Sequence, residues 1–181
     1  VLLSPTEDIV AFPALVTLPP GAERKIRIGR VTGITAVEKS YRIFIEEMPS
    51  QNERGKDENP QIQFLTKMGV PVFLQAQKQN IEARLEETAL SKGILTFKLR
   101  NAGNAHFIPQ GISVKGLGQN NETLFVLQPN GWYILAGGYR AYQLILPKQD
   151  CGKALSVAVE ATVGATILKE NLPMAPGFCA E

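Results

Sequence analysis

The sequence predicts an all-β protein built from β-sandwiches. Apolar and polar residues alternate with period two along most of the chain, which places one face of each run on a core. Turn-forming clusters divide the runs: Pro19-Pro20-Gly21, Asn101-Ala102-Gly103-Asn104, Gly118-Gln119-Asn120-Asn121, Pro129-Asn130-Gly131 and Gly137-Gly138. Strands spaced so regularly fit a sandwich. Only residues 81–90 have the Glu, Ala and Leu content of a helix, and there Ile81, Ala83 and Leu85 also alternate, so a strand is expected.

Taken in order, strands are expected at residues 8–18, 24–30, 40–47 and 61–73. In the second, Ile26 and Ile28 alternate with Lys25 and Arg27. In the third, Tyr41, Ile43 and Ile45 alternate with Arg42, Phe44 and Glu46, and Pro49 ends the run. A charged loop follows, with Glu53, Arg54, Lys56, Asp57 and Glu58, expected to be mobile and solvated. In the fourth, Ile62, Phe64, Thr66, Met68 and Val70 share one face, and only Thr66 among them is polar. Such a face must be buried or offered to something.

Residues 75–80 are polar and carry no apolar period, which marks a boundary. Beyond it come Leu95, Phe97 and Leu99, then Tyr142, Leu144 and Leu146, then the long face Leu155, Val157, Val159, Ala161 and Val163. About seven strands in roughly 100 residues make one immunoglobulin-like sandwich. The expected domains are therefore 1–75 and 76–181. The first supplies about four strands where a sandwich needs about seven, so it is expected to be incomplete at its N-terminus. Val1 is not an initiator, and residues upstream of it are expected to have been removed.

Composition narrows the function. A net charge of +2 and the lack of a basic stripe with interleaved aromatics disfavour nucleic acid. No apolar run approaches the roughly 20 residues needed to span a bilayer. The single histidine, His106, has no nucleophile beside it in sequence, so it reads as structural. Glu46 and Glu47, adjacent on a strand, point to opposite faces and make a poor acid–base pair. Lys115-Gly116-Leu117-Gly118 lacks the Gly-Lys-Ser/Thr of a phosphate loop. Catalysis, cofactors and a metal site are not expected. Cys151 and Cys179 lie in no Cys-x-x-Cys pair. They read either as two buried thiols or as a disulfide tying the tail to a strand start, the latter implying an oxidising compartment.

Several segments together resemble the PapD-like family of periplasmic pilus-assembly chaperones. These are Asp8-Ile9-Val10-Ala11-Phe12-Pro13, Leu18-Pro19-Pro20-Gly21 and Ile26-Arg27-Ile28, then the run from Ser40 to Pro49, and Val70-Pro71-Val72-Phe73. Asn101-Ala102-Gly103-Asn104-Ala105-His106 adds a segment similar to the family's Asn-x-Gly-Asn-x-His. The Pro-Val-Phe ending and the cysteine pair look like the archaic branch.

The resemblance implies two immunoglobulin-like domains, and a last strand of the first domain that is lent to an incomplete pilin. Such a subunit, lacking its final strand, exposes an apolar groove flanked by unpaired backbone. A lent strand completes the ladder, and its alternate side chains fill the groove. Here those would be Ile62, Phe64, Thr66, Met68 and Val70. The implied partners are pilus subunits and an outer-membrane usher, in the periplasm, without membrane insertion; an exported chain would also carry the disulfide. The better-known members anchor the pilin's terminal carboxylate with two basic residues. One falls on a strand this chain lacks and the other at Pro71, so Arg27, Lys67 and Arg42 are the candidates in their stead. An inter-domain ion-pair network would use Glu47, but its arginine partner falls at Gln75. Two rival readings are a pilin-like or adhesive immunoglobulin protein and a glycan-binding sandwich using Trp132 and Tyr133.

Overall fold

The computed structural model describes residues 3–49, 62, 64–175 and 178–179. The charged loop lies outside them. The chain divides into two compact units, Val1–Thr35 and Ala36–Glu181.

The first unit holds one antiparallel ribbon, β1 (Ile9–Phe12) on β2 (Arg27–Arg30). Both are shorter than their apolar runs. Pro13 follows β1 directly and cannot donate to a ladder. Val10, Phe12 and Ile28 are exposed.

The second unit opens with another antiparallel ribbon, β3 (Lys39–Glu46) on β4 (Lys67–Leu74). Seven strands then form two sheets. One is ordered β5 (Ala83–Ser91), β6 (Ile94–Asn101), β9 (Tyr139–Ile145). The other is ordered β11 (Thr166–Pro173), β10 (Ser156–Val163), β7 (Gly111–Leu117), β8 (Thr123–Leu127). Together they form a two-sheet sandwich of seven strands. A single helical turn, α1 (Lys148–Cys151), links β9 to β10.

The segment with helical composition is strand β5. Its two halves stand out of register across a bulge between Glu86 and Ala89, where Glu87 takes a positive φ of 52°. A bulge adds one residue without a partner and shifts the alternation, which explains the mixed periodicity of residues 81–90.

The core lies between these sheets. Leu95, Phe97 and Leu99 of β6 face Val114 of β7 and Val157, Val159 and Ala161 of β10, and all are essentially inaccessible. In β6 and β10 every second residue is fully buried, as period-two alternation requires. The tail is folded onto this core: Met174, Phe178 and Cys179 pack against it, and Cys179 is bonded to Cys151. Of the two readings of the cysteines, the disulfide is the one found.

Before Ala76 the pattern changes. Among the described residues of that part, the only buried side chain is Glu38. Phe44, Ile45, Met48 and Met68 are exposed. A two-stranded ribbon is marginal by itself and needs a covering layer to bury such a face.

Candidate functional site

The β3–β4 ribbon has two unlike faces. Opposite residues in an antiparallel pair share a face, and the register sets Tyr41 against Val72, Ile43 against Val70 and Ile45 against Met68. That face is apolar apart from the tyrosine hydroxyl and Lys39, which stands opposite Leu74 at its end. The other carries Arg42 against Pro71, Phe44 against Gly69, Glu46 against Lys67 and Ser40 against Phe73.

Strand β4 pairs with β3 alone, so its other edge is free among the described residues. The ladder tells which groups that edge offers. The Glu47 N–H donates to the Thr66 carbonyl at 2.8 Å, one rung beyond the strand ends. Hydrogen-bonded and non-bonded rungs alternate in an antiparallel pair. Met68, Val70 and Val72 therefore turn their N–H and C=O groups toward β3. Lys67, Gly69, Pro71 and Phe73 turn theirs to the free edge. Pro71 thus costs β3 no hydrogen bond, which is why a proline is tolerated inside this strand. On the free side it leaves one rung without a donor.

The far end of the ribbon is fixed by a polar and aromatic cluster. The Glu38 side chain is 1% exposed. Its Oε1 accepts from the His106 backbone N–H at 3.0 Å and lies 2.8 Å from Nδ1 of the same residue. The His106 ring stacks on Phe73 with centroids 3.8 Å apart, and Phe73 meets Tyr133 edge-on at 5.5 Å. An Arg42 Nη donates to the Tyr133 hydroxyl at 2.8 Å.

The loop that presents His106 is built by two asparagines. Asn101 is fully buried; its Nδ2 donates to the carbonyls of Ala105 and Ile134, and its Oδ1 accepts from the Gly103 N–H. Asn104 donates to the carbonyls of Ala36 and Lys78, accepts from the Asn80 N–H, and takes the Glu38 N–H on its backbone carbonyl. The Asn-x-Gly-Asn-x-His segment is thus a socket for the chain on both sides of the ribbon. Replacing Glu38 with Ala removes the acceptor of the part-buried His106 N–H, and a group left unpaired away from water costs about 1–3 kcal/mol. The unfolding free energy from urea titration is expected to fall by that amount.

The sequence-derived candidates separate clearly. Met68 and Val70 lie in β4 on its apolar face. Thr66 sits one rung before the strand, its N–H bonded to the Glu47 carboxylate at 3.1 Å. Ile62 and Phe64 are outside any strand and stand 84% and 87% exposed. The strand is therefore shorter than residues 61–73 suggested, because the ladder to β3 runs out at Glu47 and Thr66. Lys67 is paired with Glu46 at 2.5 Å and lies over the Phe44 ring. Arg42 reaches Tyr133. Arg27 opens β2, exposed, in the first unit. Trp132 is 59% exposed beside Tyr133, whose hydroxyl is already engaged.

Sequence reasoning missed Glu38. It looked instead at Glu47, which serves Thr66. The available signal was a lone carboxylate in the apolar stretch Ala36-Val37-Glu38, just ahead of a strand. Among the described residues no group of three or more His, Cys, Asp or Glu side chains could hold a metal ion. No helix among them is long and apolar enough to cross a membrane.

Residues 3–79 match the family model described as the pili and flagellar-assembly chaperone, PapD N-terminal domain. No curated protein sequence matches. Among solved structures, one described as the class 5 fimbriae chaperone CfaA is similar with a TM-score of 0.53 at 15% identity, over 92% of this chain and 74% of that one. Another, from a chaperone–tip adhesin complex of CFA/I fimbriae biogenesis, gives 0.52 at 16% identity, over 93% and 74%. Residues 3–79 are thus similar to the N-terminal domain of PapD-like pilus-assembly chaperones, and the all-β fold is shared with a fimbrial chaperone.

Proposed function

We propose that this protein is a periplasmic chaperone that binds pilus subunits by lending them the segment from Ile62 to Val70, and that it passes them to an outer-membrane usher. The observation that carries the reading is the free edge of β4, continued by the exposed Ile62 and Phe64. Strand addition needs unpaired backbone and alternate apolar side chains on one strand. Residues 62, 64, 66, 68 and 70 keep one parity, so pairing with a client would extend β4 and set the five side chains on one side. Residues 1–75 would serve as the lending domain and 76–181 as the second immunoglobulin-like domain. Of the three basic candidates, Arg42 fits a carboxylate anchor best, since Lys67 is already neutralised by Glu46.

Co-expression tests this reading directly. A pilin subunit that aggregates when produced alone should become soluble with this chain and co-purify with it in equimolar amount. A pilin whose yield is the same with and without the chain would refute the proposal.

A further inference from the structure

We propose that the free edge of β9 is a self-association surface, on which a second copy of this chain pairs its own β9 antiparallel about a two-fold axis at Tyr142. The proposal does not depend on strand lending by β4.

Strand β9 ends its sheet and pairs with β6 alone among the described residues. The rungs just beyond its two ends show which groups face β6. The Asn101 N–H donates to the Gly138 carbonyl at 2.8 Å, and the Leu146 N–H donates to the Gly93 carbonyl at 2.9 Å. By the alternation of an antiparallel ladder, Arg140, Tyr142 and Leu144 turn their backbone groups to β6. Tyr139, Ala141, Gln143 and Ile145 turn theirs to the free edge, and all four residues are exposed. None of them is a proline, so every rung of this edge keeps both its donor and its acceptor.

An open edge is a template for another strand unless something blunts it. The other edge strands of the sandwich are blunted. Strand β5 bulges between Glu86 and Ala89. Strand β8 bulges at Leu124, since its neighbours Thr123 and Phe125 oppose the adjacent residues Leu117 and Gly116. Strand β11 carries Lys169 and Glu170 and ends at Pro173. Strand β9 runs against β6 in unbroken register. Its one charged residue, Arg140, sits on a rung that faces β6.

The same strand is complementary to itself. Only the antiparallel register centred on Tyr142 pairs every free rung, Tyr139 with Ile145 and Ala141 with Gln143 in both directions. Residues paired in this way exchange two hydrogen bonds. On the outer face each exposed Tyr139 meets an exposed Ile145 of the second copy, an aromatic and β-branched pair of the kind that stabilises sheets. Arg140 stands against Leu144, so no like charges oppose one another. The Tyr139 ring is already drawn over β6, with Lys98 Nζ 4.8 Å and the Arg100 guanidinium 5.3 Å from its centroid. That position keeps the ring off the free rung. Two three-stranded sheets become one sheet of six strands. A contact of one strand on another is smaller than the roughly 1,200 Å² at which standard interfaces begin, so the dimer is weak and forms at tens to hundreds of micromolar.

The test is sedimentation equilibrium of the full chain. Between about 10 μM and 1 mM the weight-average mass should rise from 19.8 kDa toward twice that value. Gln143→Pro removes an N–H that β6 does not use, as Pro71 does in β4, and Ile145→Lys places a charge on the edge. Each should weaken the dimer by about tenfold or more while the circular dichroism spectrum and melting temperature stay those of the wild type. Ile167→Lys, at an exposed apolar position of β11, should leave the association unchanged. Hydrogen exchange supplies the location. The Ala141 and Gln143 amides should exchange more slowly as the wild-type concentration rises, and should not do so in Ile145→Lys. If Gln143→Pro fails to fold, Ile145→Lys decides alone. A wild-type chain that stays monomeric at about 1 mM, or a dimer that keeps its strength in folded Ile145→Lys, overturns the proposal.

Discussion

Changing Ile62 and Phe64 together to Asp is expected to abolish recovery of a pilin client while the chaperone itself remains folded. The two side chains are 84% and 87% exposed and lie outside any strand, so no packing is lost in the free protein. In a client groove each would be desolvated. Full burial of one large apolar side chain is worth about 1.5–3 kcal/mol, and a buried unpaired carboxylate costs several more. Two such changes would remove most of the affinity of a micromolar complex, about 8 kcal/mol. The measurement is the amount of pilin co-purified through a tag on the double variant. Wild-type recovery by a folded double variant would remove these residues from the interface.

The second large effect concerns the tail. Replacing Cys151 and Cys179 with Ala should lower stability by about 3 kcal/mol, because a cross-link spanning a few tens of residues restricts the unfolded chain by about that much. The sequence separation is 28 residues. Cys151 is 2% exposed and both cysteines touch the core cluster, so packing is lost as well. Urea denaturation of the oxidised protein and of the double alanine variant measures the difference. A change below about 1 kcal/mol, within the spread of ordinary point variants, would show that the core holds the tail without the bond.

Much of the fold was legible because burial in a sandwich writes itself into the sequence as alternation. Leu95, Phe97 and Leu99 announce β6 without any neighbour, and Val157, Val159, Ala161 and Val163 announce β10. The bulge in β5 was not legible, since Glu87 carries no residue-level mark of its positive φ. The end of β4 was not legible either. The apolar pattern runs on through Phe64 and Ile62, but a ladder lasts only as long as its partner strand, and β3 stops at Glu46. For the candidate site, the alternation of Met68 and Val70 within β4 could be read from sequence alone. The contact of Glu38 with His106 could not, because it joins residues 68 apart through a loop shaped by Asn101 and Asn104. Arg42 stood among three basic candidates in the sequence, and its hydrogen bond to the Tyr133 hydroxyl, 91 residues away, could not be read there.

Strand β6 connects the two fastenings of the second unit. At its start, the turn at Gly93 hydrogen-bonds to the Phe178 carbonyl beside the disulfide, and Leu146 bonds to Gly93 in turn. At its end, Asn101 shapes the loop that holds the β3–β4 ribbon. Eight residues of strand separate these points, about 25 Å, and the inward side chains along it are essentially inaccessible. In the language of amide exchange, β6 and its neighbours are expected to make one cooperative unit that opens only by global unfolding. The ribbon, held by a carboxylate, a stacked ring and a few loop hydrogen bonds, belongs to a separate opening of lower free energy. Under the proposed strand lending, a client would be expected to distort or straighten the ribbon while the sandwich behind it keeps its native protection.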